Sequence, residues 1–218
     1  MDAEHIAAMR RSYAERGIDE RDLDPDPMTQ FAAWLADAEA AAVVEPNAMV
    51  LATADAAGRS SARTVLLKGL DTGFVFYTNY ASRKGKELAR NPAASLVFPW
   101  YPLERQVLVA GVVEQVDRVT VARYFSSRPR GSQLSAWASP QSEVVASRAD
   151  LDSAFAQASA RWPEGTEVPL PDRWGGFRVL PDSIEFWQGR GDRLHDRLRY
   201  RRSAADAGQR WVLERLAP

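Results

Sequence analysis

A mainly β fold of the α+β class, an antiparallel barrel with peripheral helices, is what this sequence predicts. Three observations predict it. The middle of the chain is a series of short apolar-rich runs joined by tight turns. The helical segments fall between them in blocks, without the strand–helix alternation of a parallel sheet. The 218 residues, 45% hydrophobic and 26% charged, are enough to bury one sizeable core.

The elements follow in order. Residues 2–16 have helical character that Gly17 stops, and residues 17–27, charged and carrying Pro25 and Pro27, read as a linker. Residues 1–27 are therefore expected to be an N-terminal helix and linker, and 28–218 a single domain. A second helix starts near Met28, with Phe31, Trp34, Leu35 and Ala38 on one apolar face. The period then changes. Strands are expected at 49–53 and 60–68 around the turn Asp55–Gly58, and at 74–78 after the turn Asp71–Gly73. Ser82 caps a short basic helix from Arg83 to Arg90, which Asn91-Pro92 ends. Strands at 94–100 and 106–116 follow, then helices at 118–127 and 147–162. A Pro- and Glu-rich loop runs to Pro171, and the last strands are expected at 176–180, 183–188, 193–200 and 210–215.

Composition narrows the chemistry. No cysteine means no disulfide, no thiolate metal site and no thiol nucleophile. Two histidines, His5 and His195, cannot build a polyhistidine metal centre, and no metal is expected. A net charge of −1 gives the whole chain no electrostatic pull toward nucleic acid or an anionic membrane. No apolar run reaches the roughly 18 residues of a membrane-spanning helix, and the acidic start Met1-Asp-Ala-Glu-His5 is no secretory signal. The absence of cysteine fits a reducing cytoplasm, the expected location.

Five segments can carry chemistry. In Arg63-Thr-Val-Leu-Leu-Lys68, strand alternation puts Arg63 and Lys68 on opposite faces of an apolar run. Such cations cost several kcal/mol, by order of magnitude, unless they are paired. They either meet an anion or sit at strand ends and reach water. In Tyr77-Thr78-Asn-Tyr-Ala-Ser-Arg83-Lys84 a polar loop feeds a helix whose first turn is cationic, against the helix dipole. That suits an external dianion at the helix start, or else marks a solvated basic helix. Tyr124, Arg128 and Ser132, at intervals of four, offer a second phosphate cradle or an ordinary Arg-Pro loop. Gln141-Ser142 is a loop with hydrogen-bonding groups. Finally, Ile184 to Arg197 reads as strand, tight turn, strand, with Arg193, His195 and Arg197 pointing the same way opposite Trp187. Three such groups on one face ask for an anion, which favours a functional histidine over a structural one. Gly189-Arg-Gly191 lacks the third glycine and the following helix of a dinucleotide fingerprint.

The run Glu185-Phe-Trp-Gln-(four residues)-Arg193-Leu-His-Asp-Arg197 resembles the C-terminal motif of the pyridoxine/pyridoxamine 5′-phosphate oxidases. Phe76-Tyr-Thr-Asn79, Phe98-Pro-Trp100, Leu103-Glu-Arg-Gln-Val107, Trp174-Gly-Gly-Phe177 and Arg215-Leu-Ala-Pro218 resemble further segments of that family, in the right order. The resemblance implies an FMN-binding split β-barrel working as a homodimer. Its implied reaction oxidises pyridoxine 5′-phosphate and pyridoxamine 5′-phosphate to pyridoxal 5′-phosphate, with O2 as acceptor and H2O2 as product, and with ammonia released by hydrolysis when the substrate is the amine. It implies FMN contacts from Arg63, Val65, Leu66, Lys68, Tyr77, Thr78, Arg83, Lys84, Gln106, Gln141, Ser142, Trp187 and Arg197. It implies a substrate-phosphate set of Lys68, Tyr124, Arg128 and Ser132, with Arg193 and His195 over the pyridine ring. Arg10 and Tyr13 match a segment that closes over the site. Two alternatives stay open: a related flavin oxidase of secondary metabolism, and a non-catalytic split-barrel protein that binds flavin or haem.

Overall fold

The computed structural model describes residues 17–203, 205 and 210–218. The helix expected at 2–16, with Arg10 and Tyr13, lies outside them. A short 3-10 turn, Glu20–Asp22, occupies the expected linker, capped by Asp19. Helix α1 (Pro27–Ala40) starts where Asp26 accepts the N–H groups of Met28 and Thr29 at 3.4 and 3.0 Å. Pro27 stands at the first helical position, where no donor is needed.

Strands β1 (Ala48–Ala54), β2 (Ser60–Leu66), β3 (Gly69–Leu70) and β4 (Phe74–Asn79) precede helix α2 (Arg83–Arg90). Strands β5 (Ala93–Trp100) and β6 (Arg105–Gln115) lead to helices α3 (Arg118–Ser127), α4 (Arg130–Ala138) and α5 (Arg148–Arg161). Strands β7 (Trp174–Gln188), β8 (Asp196–Arg202) and β9 (Trp211–Leu216) close the chain. The described strands form one sheet of order β2-β1-β5-β6-β7-β4-β3, with β8 on β7 and β9 on β8. The β3–β4, β4–β7, β7–β8 and β8–β9 pairs are antiparallel. This is the predicted α+β class. Among the described residues no helix is long and apolar enough to cross a membrane.

Four expectations are corrected. The strand expected at 60–68 ends at Leu66, so Lys68 is not on it. Lys68 is exposed, and its N–H donates to the Val75 carbonyl at 2.8 Å. The two strands expected at 176–180 and 183–188 are one, β7. Its first half pairs with β4 and its second with β8, and Pro181, which has no N–H to give, stands at the changeover. The Arg-Pro loop is cut short, because α4 begins at Arg130 directly after Pro129. The strand expected at 193–200 begins only at Asp196, after a 3-10 turn at Gly191–Arg193.

The chain divides into two compact units. One holds the described residues up to Val50, with Ser95–Ala110 and Pro181–Pro218. Its core is aromatic. Phe31 of α1 packs edge-on to Phe98 with ring centroids 4.7 Å apart, and Trp34 packs edge-on to Phe186 at 5.0 Å. Of the predicted apolar stripe, Phe31, Trp34 and Ala38 are buried, while Leu35 is half-buried at its edge. A buried ring of this kind contributes roughly 1.5–3 kcal/mol by leaving water.

The other unit holds Leu51–Ala94 and Gly111–Leu180. Val75, Val121, Phe125, Leu134 and Trp174 centre its core. The consecutive residues Phe74, Val75 and Phe76 are all buried, so β4 is covered on both faces and carries Tyr77, Thr78 and Asn79 into a fixed position at its end.

Candidate active site

The predicted residues fall into three groups. The first surrounds α2. Ser82 Oγ accepts the Gly85 N–H at 3.3 Å, the expected cap. A Cβ on Gly85 would collide with the Tyr80 carbonyl, so glycine lets the helix start press against the 79–82 loop. Lys84 and Glu87 then turn inward while Arg83, Lys86 and Arg90 stay outside.

The Glu87 carboxylate accepts hydrogen bonds from the Thr53 hydroxyl, from Ser61 Oγ at 2.7 Å and from Arg83 Nε at 2.8 Å. Arg63 Nη2 approaches it at 3.4 Å. Arg63 also donates to Thr53 Oγ1 at 2.6 Å, to the Leu51 carbonyl at 3.2 Å and to Ser61. Burial alone would push the Glu87 carboxyl up, but the bonds from Thr53, Ser61 and Arg83 outweigh it and leave the pKa lowered to about 2. Burial pulls the Arg63 guanidinium down, against the nearby charge of Glu87. Arg63 and Arg83 thus share an internal carboxylate, so neither depends on an external anion for a counter-charge. Sequence reasoning missed Glu87. The i,i+4 spacing from Arg83 was its only local signal.

A pH dependence follows. Glu87 has a folded pKa near 2 against an ordinary 4.5, so its contribution is complete above pH 4.5 and is lost as pH falls toward 2. The Tm gap between the parent protein and Glu87→Gln should be widest at neutral pH and shrink on acidification through that window. A gap independent of pH would contradict the assignment.

Lys84 differs from its arginine neighbours. Its ammonium donates to Thr78 Oγ1 and to Gln141 Oε1, both at 3.1 Å, and the Thr78 hydroxyl donates to the same Gln141 oxygen at 2.9 Å. Among the described residues Lys84 makes no ion pair. Burial, then the charge of Arg63, lower its pKa. Thr78 and Lys84 thus meet Gln141 from far along the chain. A cleft of about 270 Å³ opens beside them, lined by Arg83, Lys86, Arg90, Gln141 and Ser142 against the acids Asp55 and Glu87. Ser142 is held at φ 73°, in the left-handed region.

The second group is aromatic. Tyr77 stacks on Tyr124 at 3.9 Å and 14°, and lies parallel to Trp174 at 5.5 Å. The Arg128 guanidinium sits over Trp174 at 4.7 Å. Its Nη1 is buried with no hydrogen-bond partner among the described residues. Burial lowers the Arg128 pKa and raises those of Tyr77 and Tyr124, so both phenols stay protonated donors at neutral pH. A cleft of about 210 Å³ is lined by Asn79, Arg128, Ser135, Ser139, Gln141 and Trp174. Gln141 borders both clefts. Ser132, on the first turn of α4, and exposed Lys68 line neither, while Val65 and Leu66 are half-buried on β2.

The third group belongs to the other unit. Trp187 of β7 is the cross-strand partner of Arg197 on β8. Arg197 is held by Glu185 through bonds of 2.7 and 3.1 Å, and donates to the Ala217 carbonyl at 3.1 Å. Those carboxylate bonds raise its pKa. The imidazole of His195 lies over Trp187 at 4.7 Å, and its Nδ1 accepts the Arg190 N–H at 3.1 Å. The same-face argument for Arg193, His195 and Arg197 is corrected, because only Arg197 lies on a strand. Asp192 and Arg193 have φ of 56° and 61°, which breaks the alternation. Arg193 is exposed and makes no hydrogen bond or ion pair among the described residues. Gln106 is half-buried on β6.

Taken together, element order, sheet and helices define a split-barrel α+β protein. The comparisons carry this further. The family model for pyridoxamine 5′-phosphate oxidase matches residues 35–161, and that for the pyridoxine 5′-phosphate oxidase C-terminal dimerisation region matches 174–218. A Streptomyces avermitilis pyridoxine/pyridoxamine 5′-phosphate oxidase is 56% identical, covering 97% of this chain and 96% of that protein. A Salinibacter ruber protein of the same name is 54% identical over 98% and 99%. The chain belongs to the pyridoxine/pyridoxamine 5′-phosphate oxidase family. Among solved structures, PhzG from Burkholderia lata 383, in complex with tetrahydrophenazine-1-carboxylic acid, is similar with a TM-score of 0.84 at 34% identity, covering 91% of this chain and 95% of its own. A Nostoc punctiforme protein described as FMN binding shares the fold, with a TM-score of 0.70 at 17% identity, covering 90% of this chain and all of its own.

Proposed function

We propose that this protein is an FMN-dependent oxidase that converts pyridoxamine 5′-phosphate and pyridoxine 5′-phosphate to pyridoxal 5′-phosphate, acting as a homodimer. The observation that carries the reading is a pair of clefts whose cations are incompletely neutralised. One is lined by Arg83, Lys86 and Arg90 and bounded by Gln141, which accepts the Lys84 ammonium, and the other is lined by Arg128, whose Nη1 has no hydrogen-bond partner among the described residues. The reaction has two phosphate esters to hold, one on FMN and one on the vitamer, each of roughly −1.5 to −2 charge at neutral pH. The donor set fits both. Lys84, Arg63, Arg83, Thr78, Gln141 and Ser142 would hold FMN, and Arg128 with the Tyr124 hydroxyl would take the substrate phosphate. The match to a dimerisation region supports the homodimer.

Bound FMN supplies the two-electron acceptor, which O2 regenerates with release of H2O2. The chain's own contribution is position and proton control. The stacked rings of Tyr77, Tyr124 and Trp174 hold Arg128 at a fixed height, so the vitamer would be gripped by its phosphate end. Arg193 would orient the pyridine ring, and His195 would hydrogen-bond near the reacting substituent.

The likeness to PhzG favours a second reading, oxidation of a ring substrate without a phosphate ester. That reading would set a carboxylate of single charge against the buried Arg128 guanidinium, in place of a phosphate of roughly −1.5 to −2. One experiment separates the cases. Purified, FMN-saturated protein should release H2O2 with either vitamer phosphate and much less with the dephosphorylated vitamers. Mixed anaerobically, the substrate should bleach the flavin. A flavin that stays yellow, or equal rates without the phosphate, would overturn the proposal.

A further inference from the structure

Asp196 stands outside every role assigned above, yet it is a buried carboxylate, 7% exposed, directly after His195. Its Oδ1 accepts Arg215 Nη1 at 2.6 Å, and its Oδ2 accepts the Ile18 N–H at 3.1 Å and Arg190 Nη1 at 3.3 Å. Arg215 in turn grips Glu20 through bonds of 2.8 and 2.9 Å. Two carboxylates and two guanidiniums thus tie residues 18–20, strand β9 and the loop between β7 and β8 into one knot. Gly17 marks how closely it is drawn, because a Cβ there would collide with the Arg190 guanidinium and with Asp196 Oδ2.

Among the described residues, the knot reaches His195 through Arg190. Arg190 is anchored by its side chain on Asp196, and its backbone N–H donates to His195 Nδ1 at 3.1 Å. A ring nitrogen that accepts a hydrogen bond carries no proton, so the neutral imidazole keeps its proton on Nε2. Without the anchor, an exposed loop containing two left-handed residues, Asp192 and Arg193, has little to hold that N–H in line.

We propose that Asp196 is the positioning residue for His195: acting through Arg190, it fixes the imidazole as the Nε2–H tautomer, so that His195 offers the substrate a hydrogen-bond donor and not a base. The substrate half of this statement rests on the oxidase reading; the tautomer half does not.

The test uses the full-length, FMN-loaded protein labelled with ¹⁵N at histidine. With only two histidines in the chain, His5→Gln assigns the spectrum. The parent should show His195 as the Nε2–H tautomer. Asp196→Asn and Arg190→Ala should each show a mixture of tautomers, and Arg190→Lys should restore the parent pattern at least in part. With pyridoxamine 5′-phosphate, both loosened variants should lose roughly tenfold in kcat while KM and FMN affinity stay within about twofold. An unchanged tautomer in folded Asp196→Asn overturns the proposal, and so does an unchanged kcat once the tautomers have mixed. If Asp196→Asn does not fold, Arg190→Ala decides alone, since the Arg190 side chain is half exposed. A parent protein that releases no H2O2 defeats the oxidase reading, and with it the substrate half of the proposal. The ring spectra still decide the tautomer half.

Discussion

In FMN-saturated protein, Arg193→Ala should lower kcat by roughly 10²-fold or more, because it removes the group proposed to orient the pyridine ring and misplacement by about 1 Å has effects of that size. The fold should hardly notice the change. Arg193 is exposed and makes no hydrogen bond or ion pair among the described residues, so truncation breaks no contact. Its backbone is already in the left-handed region at φ 61°, a conformation that costs of order 1–3 kcal/mol and that alanine tolerates no better. The flavin content and Tm of the variant should therefore match the parent, and the loss should appear in turnover alone. Arg193→Lys should not recover the activity, since an ammonium cannot reproduce a planar guanidinium lying along a ring. Stopped-flow reduction of the bound flavin by pyridoxamine 5′-phosphate measures this step directly. A fully flavinated Arg193→Ala with the parent's rate of flavin reduction would remove Arg193 from the mechanism.

What the sequence made legible was local. The stripe Phe31, Trp34 and Ala38 repeats at helical spacing, and Ser82 precedes its helix as a cap should. Both held because neighbours within one turn decide them. Strand β7 was misread for the opposite reason. Pro181-Asp182 has the composition of a turn, and only the change of partner from β4 to β8 explains how one strand runs through it. Helix α4 was missed because Pro129-Arg-Gly looks like loop and supplies no side-chain cap. The carboxylates were hidden too. Glu87 comes to Arg63 across 24 residues, and Glu185 to Arg197 across 12. Neither meeting leaves a trace in a single sequence.

Those carboxylates sort the cations. Arg63 and Arg83 share Glu87, Arg197 has Glu185, and Arg215 has Glu20 and Asp196. These arginines are held by the chain itself, and a ligand approaching them finds a field already partly cancelled. Lys84 and Arg128 have no carboxylate within ion-pair distance among the described residues, and both are pushed toward neutrality by burial. A buried cation without a partner is unfavourable in the free protein and favourable once a dianion arrives. The sequence reading gave Arg63, Arg83, Lys84 and Arg197 to FMN and Arg128 to the substrate phosphate; burial without a carboxylate partner among the described residues singles out Lys84 and Arg128.

Arg128→Ala is the sharper test of that sorting, because stability and binding should move in different directions. In the free protein the guanidinium gains a cation–π contact with Trp174, worth roughly 0.5–2 kcal/mol. Against this stands a buried, unsatisfied Nη1, which costs roughly 1–3 kcal/mol. Truncation removes both, so Tm in the absence of substrate should stay level or rise. Binding should suffer. A charge-assisted hydrogen bond to phosphate contributes roughly 1.5–3 kcal/mol, so its loss should raise KM for pyridoxamine 5′-phosphate by about ten- to a hundredfold. If the phosphate is gripped equally before and during the reaction, kcat should change little. FMN content should be unaffected. Steady-state kinetics beside a thermal melt of the substrate-free protein checks all of this. A variant that melts well below the parent would make Arg128 a structural residue. A fall in kcat at unchanged KM would mean that its cation acts on the reacting end of the molecule and not on the phosphate.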